Sequence, residues 1–198
     1  MYHLNNKQIK LNEDKEIDDN DLIKVCEVGN HIYFYSDVTR FNILKLLVIL
    51  KEKTLSIKKK FIDNDSGTIF LHICSNGGSI HEGLAAMDTI KSNDIPVTTI
   101  IEGLVCSAAS FIALGGKTVV MRPNAHLLIH QISSSFWGKY EDFNDEKQNL
   151  DKLMQLLKTL YTKTTIIPKE ELDVMFKRDM YINAKQCLKW KIISKIIE

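Results

Sequence analysis

The stretch from Thr68 to Leu114 limits what this chain can fold into more than any other part of it. Short apolar runs alternate there with glycine- or proline-marked turns and helical spacings. TIFLHIC (68–74) reads as a buried strand, SNGG as a tight turn, and Ile80, Leu84 and Met87 recur at helical spacing through SIHEGLAAMDTIK. Pro96 opens VTTII, a second buried strand ending at Gly103, and CSAASFIAL follows as a helix of small residues closed by Gly115 and Gly116. A third strand, HLLIH, follows the Pro123-Asn124 turn and ends at His130. Apolar strands separated by helices must be joined by crossovers, so they enter the sheet parallel, with helices covering it. The fold class is therefore α/β, a mostly parallel sheet built from repeated β-α units.

The flanks fit one domain around that centre. Residues 1–27 are expected to be a flexible polar arm and 28–198 the folded domain, since 198 residues suffice for one core but not comfortably for two. Ile32 to Tyr35 reads as a short strand and Phe41 to Leu50 as a buried helix. The charged stretch KEKTLSIKKKFIDNDSG reads as an exposed connection. Leu150, Leu153, Met154, Leu157, Leu160 and Tyr161 mark one face of a long helix, Pro168 starts another, and Asn183 is an N-cap candidate for AKQCLKW.

Charge narrows the partners. With 26 Lys+Arg against 25 Asp+Glu the chain has no electrostatic footprint for nucleic acid or an anionic membrane, and neither is expected as a partner. The 26 basic residues include only three arginines, Arg40, Arg122 and Arg178. The four cysteines are widely spaced without a C-x-x-C, which predicts free, mostly buried thiols in a reducing compartment. The acidic N-terminus has no apolar signal core, and no run is long enough to span a membrane, so a soluble cytoplasmic protein is expected.

Ligands of open parallel sheets bind beyond the carboxyl ends of the strands. Three such ends are polar or glycine-rich here: Ser75-Asn76-Gly77-Gly78, Gly103-Leu104-Val105-Cys106-Ser107 and His130-Gln131. A serine opening a helix, a histidine at a strand end and tandem glycines with free N–H groups are the parts of an acyl-transfer site. Each has a plainer reading: Ser107 as an N-cap, His130 as a satisfied strand-end histidine, Gly77 and Gly78 as turn glycines. Ser107 also lacks the G-x-S-x-G elbow, which disfavours an α/β-hydrolase.

Read together, CSNGGSIHEGLAAMDTIKSNDIPVTTIIEGLVCSAASFIAL, RPNAHLLIHQ and FKRDMYINAKQCLKWKII resemble the ClpP serine peptidase family, the proteolytic subunits of ATP-dependent Clp proteases, from about Gly29 to Ile197. The resemblance implies the ClpP/crotonase-like superfold with a long helix-containing handle. It matches the family's G-x-A-A-S to Gly103–Ser107, its M-I-H-Q to Leu128–Gln131 and its R-D element to Arg178-Asp179. Implied roles follow: Ser107 as nucleophile, His130 as base, Asp179 as the orienting acid, and the backbone N–H groups of Gly78 and Ala108 as oxyanion donors. Asp173 or Glu171 stands as a substitute for the acid. Gly77, Gly78, Ser133, Ser134 and Ser135 would bind substrate, and Arg178 would contact a neighbouring subunit.

The implied function is endopeptidase hydrolysis of unfolded polypeptides inside a heptameric ring, single or double. No metal and no cofactor is implied in this subunit, ATP being used by a separate Clp-type ATPase partner. Departures keep two alternatives in view, a stand-alone phage-type maturation protease and a structural or regulatory ring subunit. The family's S-P-G-G reads Ser75-Asn76-Gly77-Gly78, its Q-P-x-G-G-x-x-G reads Gln131 to Gly138, and Lys177 replaces the acid before Arg178. His72 and Glu102 fall where an ATPase-docking cleft would be aromatic or apolar. The interval from Ser107 to His130, 23 residues, is short for a bacterial member.

Overall fold

β-Branched and aromatic residues dominate the longer strands, of four to ten residues, small or Leu-rich segments form the helices between them, and three further strands run only two or three residues. The computed structural model describes residues 25–60 and 67–198. Its elements run β1 (Val25–Val28), β2 (His31–Phe34), α1 (Arg40–Lys60), β3 (Ile69–Ser75), α2 (Ile80–Lys91), β4 (Val97–Cys106), α3 (Ala108–Leu114) and β5 (Thr118–Met121). They continue β6 (His126–Leu128), α4 (Tyr140–Thr164), α5 (Lys169–Met175), β7 (Tyr181–Asn183), α6 (Ala184–Lys189) and β8 (Lys195–Ile196). The strand order is β1-β2-β3-β4-β5-β8. β2, β3, β4, β5 and β8 are parallel, and β1 joins the edge antiparallel. The mostly parallel α/β class stands as the alternation predicts.

The differences lie at the edges. Strand β1 begins at Val25, so residues 25–27 belong to the sheet, while the rest of the segment read as an arm lies outside the described residues. Helix α1 does not stop at Leu50: Ile43, Leu46, Leu50, Thr54 and Ile57 keep one buried face through the lysine-rich stretch taken for a loop. The Thr54 hydroxyl donates to the Leu50 carbonyl at 2.8 Å, and Lys53 pairs with Glu27 at 3.0 Å. Residues 61–66 lie outside the described residues. Strand β5 was not anticipated, β4 continues past Gly103 to Cys106, and β6 ends at Leu128 rather than His130. The predicted cap of α6 forms, Asn183 Oδ1 accepting from the Gln186 N–H at 3.0 Å.

Strand β4 changes partner along its length. Thr98 to Ile101 pair with β5, whereas Leu104 to Cys106 pair with β6, which in turn pairs antiparallel with β7. The break falls at Gly103, whose φ of 55° is in the left-handed region that glycine enters without steric cost. Along β3, Ile69, Leu71 and Ile73 turn into the core and Phe70, His72 and Cys74 to the opposite face.

That opposite face carries a polar chain. His31 Nδ1 lies 2.9 Å from His72 Nε2, and His72 Nδ1 lies 3.0 Å from Glu102 Oε1. Glu102 also accepts from the Tyr35 hydroxyl and, at 3.2 Å, from Arg122 Nε. Burial works against the Glu102 charge, but these three donors outweigh it and hold the carboxyl below its ordinary value of 4.5. A carboxylate with a depressed folded pKa stabilises the fold above its unfolded pKa and loses that contribution as pH falls through the folded one. Glu102→Gln is therefore expected to lower the thermal midpoint at pH 7. The gap to wild type should close in acid, as parallel melts across pH 3 to 7 would measure.

Candidate active site

The end of β4 is held by β6. Beyond the last rung, Cys106 opposite Leu128, the Ser107 N–H donates to the Leu128 carbonyl at 2.8 Å. Ser107 then turns sharply into α3 with φ 53° and ψ −125°, a strained conformation for a residue with a side chain. The serine thus occupies a strained strand-to-helix turn although it lacks the glycine-flanked sequence of an elbow. Its hydroxyl has no hydrogen-bond partner among the described residues and lines a cavity of about 170 Å³.

The β6–β7 pairing brings His130 and Asp179 together. Leu128 opposes Tyr181, and continuing that antiparallel register by two residues sets His130 against Asp179. His130 Nδ1 and Asp179 Oδ1 are 3.1 Å apart. Next to His130, the Gln131 N–H donates to the Phe176 carbonyl at 3.1 Å, a second tie to the segment that carries Asp179. The side chains are 25% and 74% exposed respectively. Asp173, the weighed substitute, takes Lys158 Nζ at 2.6 Å instead, and Glu171 lies exposed on α5. Lys158 beside Asp173 holds that carboxyl below its ordinary value.

The glycine turn closes the other side. Gly77 and Gly78 have φ of 93° and 142°, and a Cβ on Gly77 would fall 2.7 Å from the Cys106 carbonyl oxygen and 2.9 Å from Ser107 Cβ. The Val38 N–H donates to the Gly77 carbonyl at 2.7 Å, and the Ser79 N–H to the Val38 carbonyl at 2.8 Å. Between them the Gly78 N–H makes no hydrogen bond among the described residues, and Ala108, first in α3, has no intrahelical acceptor.

Ser107, His130, Gly78 and Ser133 share the cavity with Ser79 and Gln131, and its apolar and aromatic walls are Ile80, Phe111, Ile132, Leu157 and Tyr161. Sequence reasoning assigned none of these five to the site. In the sequence Leu157 and Tyr161 mark only one face of a helix, and their place in the cavity wall follows from how α4 packs. Ser133, Ser134 and Ser135 run exposed beyond His130 with no backbone hydrogen bond among the described residues. Lys177 and Arg178 are exposed and form no ion pair among those residues. All four cysteines are free, and burial pushes the thiol of Cys106, beside the serine, above its ordinary value. A larger depression of about 690 Å³, near Lys91, Val119 and Ile193, is lined by no histidine, cysteine or carboxylate. Among the described residues no group of three His, Cys, Asp or Glu side chains is arranged to hold a metal ion, and no helix is long and apolar enough to cross a membrane.

A strand-end serine, a histidine backed by a carboxylate and two unpaired N–H groups, set on a mostly parallel sheet, are the components of a serine hydrolase. The family model "Clp protease" matches residues 53–198, and the chain belongs to that family. Three proteins described as ATP-dependent Clp protease proteolytic subunit are similar to it. The one from Chlorokybus atmophyticus is 33% identical over 137 residues, 68% of this chain and 61% of the relative. That from Deinococcus radiodurans is 31% identical over 138 residues (68% and 67%), and that from Mesostigma viride 32% over 137 (68% and 60%). The match thus spans about 61% of the length of the first of them.

Proposed function

We propose that this chain is a serine endopeptidase subunit of the Clp type, hydrolysing peptide bonds of unfolded polypeptides through Ser107, His130 and Asp179. The observation that carries the reading is the cavity where Ser107, His130 and the Gly78 turn converge. With His130 Nδ1–H donating to Asp179, Nε2 is the free base. It takes the proton as Ser107 Oγ attacks the carbonyl and returns it to the leaving amine. The oxyanion is received by the N–H groups of Gly78 and Ala108, where losing one donor costs about 100- to 1,000-fold. Extended substrate pairs with the unpaired backbone of Ser133 to Ser135 and lies along Gly77 and Gly78. Its apolar side chain enters between Phe111, Leu157 and Ile132. No metal or cofactor takes part in this scheme.

Asp179 is more exposed than a buried orienting acid, so solvent weakens its hold on the imidazolium. Asp179→Asn is expected to lower kcat by about 10- to 100-fold, with little change in KM. Steady-state hydrolysis of a fluorogenic peptide checks this.

Self-association in a ring is part of the proposal. No residue of α4 from Tyr140 to Leu156 is buried, and Trp137 is 95% exposed beside it. Arg178, exposed next to Asp179, serves as an oligomer contact. A second reading, a peptidase acting without a Clp ATPase, is favoured by the His31–His72–Glu102 chain, which makes polar the centre of the sheet face formed by Phe70, Ile100 and Val120.

Fluorophosphonate labelling of the purified chain, with Ser107→Ala as control and a native mass of the assembly, tests the proposal. Wild-type labelling that the variant loses is expected; an assembled wild type that stays unlabelled overturns it. Peptide hydrolysis at full rate without any ATPase selects the second reading.

A further inference from the structure

Two buried hydroxyls behind the serine turn have no part in the scheme above. Ser110, 1% exposed, lies 2.6 Å through its Oγ from the Ser107 carbonyl oxygen. The same Oγ lies 2.5 Å from the hydroxyl of Tyr161, itself 2% exposed. The proton directions follow from valence. A carbonyl oxygen only accepts, so the single Ser110 proton goes to Ser107, and Tyr161 must be the donor to Ser110. A directed chain results, from the Tyr161 O–H through the Ser110 O–H to the Ser107 carbonyl, which also accepts from the Ser110 N–H at 2.9 Å.

The Ser107 carbonyl belongs to the same peptide unit as the Ala108 N–H. All peptide bonds of the described residues are trans, and in a planar trans unit the C=O and N–H point in opposite directions. Fixing the oxygen toward Ser110 therefore fixes the Ala108 N–H away from it, on the side where the Gly77 turn lies: a Cβ on Gly77 would fall 3.4 Å from the Ala108 nitrogen. Polarising the carbonyl through linked hydrogen bonds also strengthens the N–H as a donor. Ser107 is in a strained conformation, so an external clamp on its peptide unit has something to do.

We infer that Ser110 and Tyr161 are positioning residues that clamp the Ser107–Ala108 peptide and aim its N–H at the oxyanion. The inference rests on the peptidase reading. Tyr161 contributes through its hydroxyl as well as its ring. The ring packs on Phe111 and Phe176 at centroid distances of 5.1 and 5.9 Å and remains in Tyr161→Phe. Ser110 does not line the cavity, so Ser110→Ala leaves its walls unchanged.

The test measures fluorophosphonate labelling rate, whose phosphoryl oxygen needs the same donors, and peptide kcat and KM, for wild type, Tyr161→Phe, Ser110→Ala and the double variant. Each single change should slow labelling and lower kcat by about 3- to 10-fold, the worth of one hydrogen bond, with KM unchanged. The double variant should match Ser110→Ala alone, because Tyr161 acts through Ser110. Wild type that labels while both single variants equal it overturns this inference and leaves the peptidase reading intact, as does a double loss equal to the product of the single losses. Wild type that fails to label overturns the peptidase reading itself. Melting curves of the four proteins separate a lost clamp from a lost fold: a rate loss that follows the midpoint rather than the hydroxyl counts against the inference.

Discussion

Ser107→Ala is expected to reduce peptide hydrolysis by at least about 10,000-fold while leaving the fold and assembly unchanged. The serine hydroxyl has no hydrogen-bond partner among the described residues, so removing it breaks no bond of the native state. It also frees a strained residue of its polar atom without altering the φ of 53° that the flanking strand and helix impose. His130→Ala should lose a comparable factor, and the double variant little more, because nucleophile and base act as one unit. Single-turnover hydrolysis at matched protein concentration, with the wild-type active sites counted by fluorophosphonate titration, measures all three. Independent, multiplicative losses would show that Ser107 and His130 do not work on the same proton.

Gly77→Ala should have the next largest effect, at least about 100-fold on kcat/KM, together with a stability loss of at least about 2 kcal/mol. Two costs coincide at this position. A side chain at φ 93° is strained wherever it stands, and here the new Cβ would come within 2.7 Å of the Cys106 carbonyl oxygen and 2.9 Å of Ser107 Cβ. Both neighbours belong to the serine turn rather than to the end of a flexible side chain, so relief requires moving Ser107 relative to His130. Gly29→Ala is the control: its φ is 59°, but nothing lies within 4 Å of the added methyl. It should cost stability without an activity loss of that size. Urea unfolding and peptide kinetics on the two variants distinguish strain from collision.

The polar ends of the strands were legible because the parallel strands are largely apolar along their length, His72, Glu102 and the β4 threonines being the main exceptions, so that a serine, a histidine or tandem glycines at their termini are conspicuous. The residue proposed as the acid was not legible by the same route. Apart from the Arg178-Asp179 resemblance, nothing in the residues favours Asp179 over Asp173, and it is the β6–β7 register, in which Leu128 faces Tyr181, that opposes His130 to Asp179. That register depends on the three-residue strand β7, too short to carry a periodic signal. Helix α1 was cut short for a related reason: its second half keeps its buried face with Thr54 and Ile57, and five lysines from 51 to 60 hide that spacing. The Ser110–Tyr161 bond joins residues 51 positions apart and had no sequence signature. Packing of α4 creates it, as it creates the apolar wall of the cavity.

The partner exchange along β4 has a consequence for how this chain can vary. Ser107 and His130 are registered by three rungs between β4 and β6 and by the Ser107 N–H on the Leu128 carbonyl. None of those rungs runs through α3, β5 or the turns on either side of it, although all of these lie between the two residues in sequence. The loop at Gly115–Lys117 and the turn at Arg122–Ala125 are therefore places where residues can be inserted or deleted without moving Ser107 against His130. The 23-residue interval is then free to differ in length, while the geometry it spans stays fixed by the β4–β6 rungs.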